Sequence, residues 1–352
     1  MTERPVPGSA AARSDVSSTE VLSAELTTAQ VDGVLALAQA AAAADGVAPL
    51  SEHVLLHLRY DHSSAERGSA ASQDVVLVTG GEIAGYAHLD RQPAEASGEL
   101  VVHPDRRGRG LGRALVSELT TAADGRILRI WAHGEQPAAA RLAAATGFER
   151  FRALAQMRRP LRDELAAAAF PAGRTLRTFV PGQDEDEWLT LNSRAFAKNP
   201  EQGSWTSRDL ELREREPWFD PDGFFIAERD GAMAGFHWTK VHPAGGQDSP
   251  ERAIGEVYVV GVDPAEQGSG LGRALTLAGL HHLRDEGLAE VMLYVDEDNV
   301  PAIRLYEALG FSRTRTDAMY QRETQRKQTQ RKQTQRKQTQ RKQTQGKPRR
   351  EP

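Results

Sequence analysis

Apolar and polar positions along this 352-residue chain follow two periods, and the order in which those periods succeed one another occurs twice. From Ser23 to Arg59 apolar side chains recur every three or four residues, which predicts two helices separated by Asp45-Gly-Val-Ala-Pro49. Short strand-like runs follow at Asp74 to Thr79 and Ile83 to Leu89, divided by Gly80-Gly81, and then at Gly98 to Val102. A helix over Ala114 to Ala123, a strand over Ile127 to Trp131, a helix over Ala138 to Thr146 stopped by Gly147 and a strand over Phe148 to Met157 complete the set. The second half repeats it: helices at Asp184 to Phe196 and Arg208 to Glu214, then a hairpin of Phe224 to Arg229 with Ala234 to Val241. A strand at Glu256 to Val262, a helix at Leu271 to Glu286, a strand at Val291 to Val295, a helix at Pro301 to Leu309 and a strand at Phe311 to Tyr320 follow. The pattern is α/β, and at about 150 residues each half can bury its own core.

The repetition is literal at one place, where Gly108-Arg-Gly-Leu-Gly-Arg-Ala-Leu115 returns as Gly268-Ser-Gly-Leu-Gly-Arg-Ala-Leu275. Each phrase lies between a predicted strand and a predicted helix, so glycine permits close backbone approach and the free N–H groups of the helix start attract an anion such as a phosphate. A P-loop is excluded because no Gly-Lys-Ser/Thr occurs. A dinucleotide fingerprint is excluded because the spacing is Gly-x-Gly-x-Gly rather than Gly-x-Gly-x-x-Gly.

What fits is Gln/Arg-x-x-Gly-x-Gly, at Arg107 to Gly112 and Gln267 to Gly272, joined in the second half by Asn299-x-x-Ala302-x-x-x-Tyr306-x-x-x-Gly310-Phe311. These motifs resemble the GNAT superfamily of N-acetyltransferases. That resemblance implies two tandem GNAT acetyltransferase domains, each a mixed central β-sheet flanked by helices, over residues 21–158 and 175–321, with a linker at 159–174 and a tail at 322–352. It also implies acetyl-CoA as co-substrate. Its contacts are expected at Leu100, Val101, Val102, Gly108, Arg109, Gly110, Leu111, Gly112 and Arg113 in the first half. In the second half they are expected at Val260, Gly261, Val262, Gln267, Gly268, Ser269, Gly270, Leu271, Gly272, Arg273, Asn299, Val300, Pro301, Ala302, Ile303 and Arg304. Glu256, on the strand before the second loop, is the expected general base, and Tyr306 the expected general acid toward the departing thiolate. A backbone N–H near Val260 or Val262 would stabilise the oxygen of the tetrahedral intermediate.

Superposing Gly147-Phe148 on Gly310-Phe311 places Ala143 where the second half has Tyr306. Glu99 lies five residues before Pro104, whereas Glu256 lies eight before Pro264, an odd difference that turns a strand side chain to the opposite face. The first half is therefore expected to bind acetyl-CoA without turning it over, or to act as scaffold.

A more specific resemblance spans about Val31 to Tyr320. Asp45-Gly-Val-Ala-Pro49, Trp131-Ala-His-Gly134, Gln156-Met-Arg-Arg-Pro-Leu-Arg-Asp163, Asn199-Pro-Glu-Gln-Gly203, Trp218-Phe-Asp-Pro-Asp-Gly223, Gly235-Phe-His-Trp-Thr-Lys-Val-His-Pro243 and Gly255-Glu-Val-Tyr-Val-Val-Gly-Val-Asp-Pro264 make the chain similar to the mycothiol synthase family. That implies acetyl transfer to the cysteinyl amine of desacetylmycothiol, a cysteine-glucosamine-inositol conjugate, with Glu52, Glu201, Lys240, Glu256 and Tyr294 around this thiol-sugar substrate. The repetitive tail, a longer Ala244 to Ile254 loop and an insertion at Gly68 to Gln73 depart from the family pattern.

Composition adjusts this picture further. Cysteine is absent, which excludes disulfides, thiolate metal sites and a cysteine nucleophile. The net charge of −5 divides unevenly: residues 321–352 carry twelve Lys/Arg against two Glu, a surplus of +10, leaving −15 elsewhere. That tail has no aromatic residue to stack on bases beyond its start, so an expanded disordered extension is favoured over a nucleic-acid arm. Residues 1–20 are likewise expected to be disordered. The apolar run Val34 to Ala44 is shorter than the roughly 18 to 20 residues of a membrane span, so a cytoplasmic, monomeric enzyme is expected. His53 and His57 share a helix face and His281 and His282 are adjacent, but neither pair places a third ligand, and no metal site is expected. Acetylation of a peptide amino terminus or an aminoglycoside, and a non-catalytic acyl-CoA sensor, remain alternatives on the residues alone.

Overall fold

The computed structural model describes residues 19–22, 25–61, 72–244 and 252–322. The expectations for residues 1–18, the 68–71 insertion, the 245–251 stretch and the tail from 323 lie outside them. The first half runs β1 (Thr19–Leu22), α1 (Thr28–Asp45), α2 (Glu52–Leu56) continuing into a π-helical turn (His57–Asp61), β2 (Ser72–Thr79), β3 (Glu82–Arg91), β4 (Glu95–Val102), α3 (Leu111–Ala122), β5 (Ile127–Ala132), α4 (Pro137–Ala145) and β6 (Glu149–Pro160). The second runs β7 (Arg174–Thr178), α5 (Glu185–Ala195), α6 (Pro200–Gly203), α7 (Ser207–Glu214), β8 (Phe224–Arg229), β9 (Ala232–His242), β10 (Ile254–Val262), α8 (Leu271–Asp285), β11 (Glu290–Asp296), α9 (Val300–Ala308) and β12 (Ser312–Arg322).

Local chemistry accounts for the boundaries. Thr27 and Gln30 form a reciprocal capping box at the start of α1, and Gly46 ends that helix in the left-handed region, at φ 66°. Ser51 caps α2 through its hydroxyl. Thr19 and Glu20, expected to be disordered, instead belong to the edge strand β1, which pairs antiparallel with β2. The strand β7 begins at the end of the expected linker, where Arg174 pairs with Arg229.

The strands make a single twelve-stranded sheet in the order β1-β2-β3-β4-β5-β12-β6-β11-β10-β9-β8-β7. The two halves exchange their last strands. β12 pairs with β5 of the first half, while β6 pairs with β11 of the second, and the two exchanged strands pair with each other. No such exchange is visible in the order of elements, because each half still ends in a strand. One face of the sheet is covered by α3 and α4 over Leu77, Leu89, Leu115 and Leu119, and by α8 and α9 over Val257, Leu280, Leu293 and Tyr306. The opposite face is covered by α1 and α2 over Val76, Tyr86 and Val101, and by α5 and α7 over an aromatic cluster of Trp188, Phe224, Phe236 and Trp238.

In the exchanged sheet β6 has partners only from the second half. Expressed alone, residues 1–160 are expected to lack a cooperative thermal transition, whereas the whole chain melts cooperatively. A sharp calorimetric transition for the isolated fragment would show that β6 folds back productively onto β5.

Candidate active site

The two glycine phrases adopt the same local structure. Each strand, β4 or β10, ends in a single 3-10 turn, at Pro104–Arg106 or Pro264–Glu266, before the loop. Gly108 and Gly268 have φ of 74° and 79°, and Gly110 and Gly270, which cap α3 and α8, have φ of 88° and 91°. These angles disfavour any residue with a Cβ, and a Cβ built at any of the four would meet no atom within 4 Å. A glycine cap has no side chain to take the first-turn N–H groups; in α8 Ser269 Oγ takes that of Leu271 at 3.3 Å, and the other helix-start donors are of the kind an anion site uses. Loop, space and donors fit the pyrophosphate of a CoA thioester in both halves.

The gap that would take the rest of such a molecule lies in the sheet. β10 pairs with β11 only from Gly255 to Val257, and β4 with β5 only from Glu95 to Gly98. Beyond these points parallel neighbours separate, leaving Val260 to Val262 and Leu100 to Val102 unpaired on that side. In the first half the gap opens into a cleft of about 580 Å³, lined by Leu100, Val101, Val102, Gly108, Gly110, Leu111, Gly112 and Arg113 and also by Asp45, Val47, Pro49, Trp131, His133 and Ala139. In the second half Asn299 caps α9 by accepting from the Ala302 N–H, which sets Val300 to Arg304 beside the gap. Tyr306 packs in the core with Val260, Ala302 and Ile303 alongside, edge-on to Phe311. Burial pushes its phenol up to about 12, so it holds its proton at neutral pH.

The opposite face carries the polar groups. Glu256 lies directly across from Lys240 in the β9–β10 register and from Met292 in the β10–β11 register. Its carboxylate is buried and meets His242 Nε2 at 2.6 Å. Lys240 bonds Glu52 of α2, from the other half of the chain, and Tyr258 donates to the same carboxylate at 2.5 Å. Arg213 in turn donates to the Tyr258 oxygen at 2.7 Å. Burial pushes the Glu52 carboxyl up, but the Lys240 and Arg213 charges outweigh it and hold the group below its usual range. Tyr294 lies on the same face, its hydroxyl accepting from Gln156 at 2.8 Å. Glu201 is further along, taking Trp131 Nε1 at 3.1 Å and Arg152 at 2.7 Å. Glu52, Lys240 and Glu256 thus come together on this face, with Tyr294 and Glu201 nearer the exchanged strands. Sequence reasoning missed Tyr258, Arg213 and His242. Tyr258 and His242 carried a signal, their two-residue spacing from Glu256 and Lys240 on the same strands, whereas Arg213 arrives from α7 and carried none.

The first half differs, though not as the spacing suggested. Glu99 does not face away: it pairs with His88 as Val259 pairs with Trp238, on the face that also carries Glu256. The reason is a β-bulge at Tyr258, where Val257 and Val259 are opposed to consecutive residues of β9, so one extra residue restores the parity. Glu99 is nevertheless occupied, accepting from the Ser51 N–H at 2.6 Å and facing His133, whose other nitrogen meets Asp317 at 2.9 Å. Burial pushes the His133 imidazole down, but Asp317 and Glu99 together raise it to about 10.

The histidines also need correction, because third groups do approach one of the pairs. His53 stands beside His88 and Asp90, and His57 beside Asp74 and His88, with potential ligand atoms within 4.8 Å of one another. They satisfy each other as a chain of hydrogen bonds: His53 to Asp90 at 3.0 Å, Asp90 to His88 at 3.2 Å, His88 to Asp74 at 2.8 Å and Asp74 to His57 at 3.2 Å. Burial lowers the His88 imidazole, yet Asp90 and Asp74 more than compensate and carry it to about 10. An imidazolium between two carboxylates thus ties α2, and Glu52 with it, to β2 and β3.

A duplicated phosphate loop, a splayed central strand and a helix set beside the gap define a pair of GNAT acetyltransferase domains in tandem. Residues 71–150 match the Acetyltransferase (GNAT) domain and residues 186–311 the Acetyltransferase (GNAT) family. A tandem GNAT protein from the clavulanic acid biosynthesis pathway superposes with a TM-score of 0.64 at 26% identity, covering 87% of this chain and 98% of that one. A GCN5-related N-acetyltransferase from Sphaerobacter thermophilus does so at 0.62 and 26%, covering 86% and 95%. Sequence relatives are nearer. The chain is 60% identical over 294 residues to the mycothiol acetyltransferase of Thermobispora bispora, covering 83% of this chain and 95% of that one. It is 59% identical over 304 residues to that of Thermomonospora curvata, covering 86% and 96%. The chain belongs to the mycothiol acetyltransferase family. No helix of the described residues is long and apolar enough to cross a membrane.

The His88 network gives a signed pH dependence. A histidine raised in the folded state contributes fully below its unfolded value of about 6.5 and loses that contribution as pH rises toward about 10. His88→Gln is therefore expected to cost about 2 kcal/mol at pH 6, a gap that narrows steadily toward pH 10. Urea unfolding of both proteins across that range measures it, and a gap that widens with pH would refute the imidazolium assignment.

Proposed function

We propose that the protein transfers the acetyl group of acetyl-CoA to the cysteinyl amine of desacetylmycothiol, giving mycothiol and CoA, and that only the second half turns over. One observation supports this most: one face of the sheet carries Glu256 across from Lys240, and Lys240 bonds Glu52, which comes from the opposite domain. A substrate with an ammonium at one end and sugar hydroxyls at the other calls for carboxylates and a lysine placed in this way. The similarity to mycothiol acetyltransferases at 60% identity supports the same substrate.

In this reading Glu256 accepts a proton from the substrate ammonium. The reference range for an α-amino group, about 7.7 to 8.0, leaves enough of it readily deprotonated for a carboxylate to suffice. His242, bonded to the Glu256 carboxylate, orients it toward the amine. The amine nitrogen then bonds to the thioester carbon, and backbone N–H groups of the splayed Val260 to Val262 segment donate to the carbonyl oxygen. As the carbon–sulfur bond breaks, Tyr306 gives its proton to the departing sulfur, the nitrogen loses its second proton to water, and the phenolate regains a proton from solvent. The base and the acid reach the gap from opposite faces of the sheet, so the amine and the thioester approach without crossing. Lys240, Glu52, Glu201 and Tyr294 hold the thiol-sugar. The same reading makes the protein a cytoplasmic monomer that draws on the acetyl-CoA pool and divides function between residues 21–158 and 175–321.

The test is direct. Incubated with acetyl-CoA and Cys-GlcN-Ins, the purified chain is expected to release free CoA, with Glu256→Ala and Tyr306→Phe each lowering kcat by about 10² to 10⁴. Release no faster than the uncatalysed background by the wild type would sink the assignment, and an unaffected Tyr306→Phe would remove that residue as the acid.

A further inference from the structure

The first-half cleft adjoins the segment that supplies Glu52 to the second half, and this contact gives a non-catalytic CoA site something to do. We propose that the first cleft is an effector site: a CoA-type ligand bound there fixes the 45–51 segment and so sets Glu52 against Lys240 and Tyr258 of the other domain. The proposal rests on the reading above, in which Glu52 contacts the amine substrate.

The connection is short and held at each end. Asp45, Val47 and Pro49 form one wall of the cleft, and the phosphate loop forms another. Arg107, which opens that loop's motif, donates to both oxygens of Asp45 at 2.7 Å. The Gly46 carbonyl accepts from Arg315 of the exchanged strand β12 at 2.9 Å. Val47 lies so close to Gly134 that a Cβ there would come within 2.9 Å of it. The segment then passes through Ser51, whose N–H is taken by Glu99 at 2.6 Å, and the next residue is Glu52.

Only Val47 to Leu50 separate the left-handed cap of α1 from the cap of α2, so few dihedrals are free to absorb a shift of the wall. Glu52 holds both Lys240 and the Tyr258 hydroxyl, contacts that a displacement of about half an ångström would weaken. A ligand filling the gap between β4 and β5 packs against Val47 and Pro49, and because the segment is short any shift or restraint of that wall passes to Glu52. By linkage, the amine substrate must tighten CoA binding in the first cleft by the factor with which CoA there tightens the amine.

Two measurements on the full-length chain decide the matter. Gly110→Asp sets a carboxylate in the first cradle and is expected to remove one of two CoA-binding equivalents by calorimetry and to raise KM for Cys-GlcN-Ins about tenfold. The rise is expected to vanish in a Glu52→Gln background, because the coupling runs through that carboxylate. Hydrogen exchange provides the second reading and needs no turnover. In Gly270→Asp, where the second cradle is disabled, CoA is expected to slow exchange of the amides of residues 46–52. Loss of first-site binding with an unchanged KM would overturn the proposal, as would exchange at 46–52 indifferent to CoA. If Gly110→Asp fails to fold, the exchange experiment decides alone. A wild type that releases no CoA from Cys-GlcN-Ins would fail the proposed function, while the exchange result would still report on the cleft.

Discussion

The exchange of β6 and β12 is the constraint on which the rest depends. Two ordinary domains joined by a linker would carry two sheets free to move against each other, and no side chain of one could serve reliably in the other. Here β12 stands between β5 and β6, and β6 between β12 and β11, so the halves share one hydrogen-bonded ladder. Antiparallel pairing at the centre leaves α1 and α2 on the same side of the sheet as α5 and α7. That shared side is why Glu52 can meet Lys240, why Tyr60 donates to Glu216 at 2.7 Å, and why Asp317 of the last strand binds His133 of the first half.

Within that frame the duplication has diverged by single residues rather than by rearrangement. Both loops keep positive-φ glycines, and both central strands leave their parallel neighbours. The difference lies in one bulge. The extra residue at Tyr258 puts two neighbouring side chains, Tyr258 and Val259, on the face of the aromatic cluster and swings Glu256 into register with Lys240. In the first half the strand runs without a bulge, and Glu99 comes up at a different step, where Ser51 and His133 take it. A carboxylate already accepting a backbone N–H and facing an imidazolium is a poor base, because protonating it would weaken that buried hydrogen bond and leave the facing positive charge less compensated.

What could be read in the chain follows from whether the cause was local. The glycine loops were legible because the φ values that Gly108, Gly110, Gly268 and Gly270 must adopt exclude other residues. The helices and most strands were legible because their periods are set by faces. The strand exchange was not, since β6 and β12 have suitable patterns for either partner and the choice is made by pairing across the sheet. The face of Glu99 was misread because parity counting assumes an unbroken ladder, and nothing at Tyr258 in the sequence announces a bulge. The His53 and His57 neighbourhood was misread for a related reason: its other members, Asp74, His88 and Asp90, come from β2 and β3 and share no motif with α2. Glu52, Glu201 and Lys240 came from family resemblance, and the residues alone would have left them as surface charges.

The arrangement around Glu52 also bears on why a polar group was kept in a half-buried place between domains. Taking a carboxylate out of water is unfavourable, and an apolar contact there would hold α2 to β9 at less cost. Glu52 instead sits among Lys240, Tyr258 and, one step away, Arg213, so the cluster carries two cations against one anion. Lys240 also lies 4.4 Å from the Trp218 ring, which steadies the ammonium without neutralising it. Lys240 stands directly across from Glu256 in the β9–β10 register. In the proposed reading a substrate ammonium on this face is drawn to Glu256 and Glu52 and repelled by Lys240, which directs the amine to the carboxylate assigned as base. On that proposal, moving Glu52 alters the field in which the substrate is oriented as well as a contact, and a domain that holds Glu52 in place would take part in recognition without touching the reacting atoms.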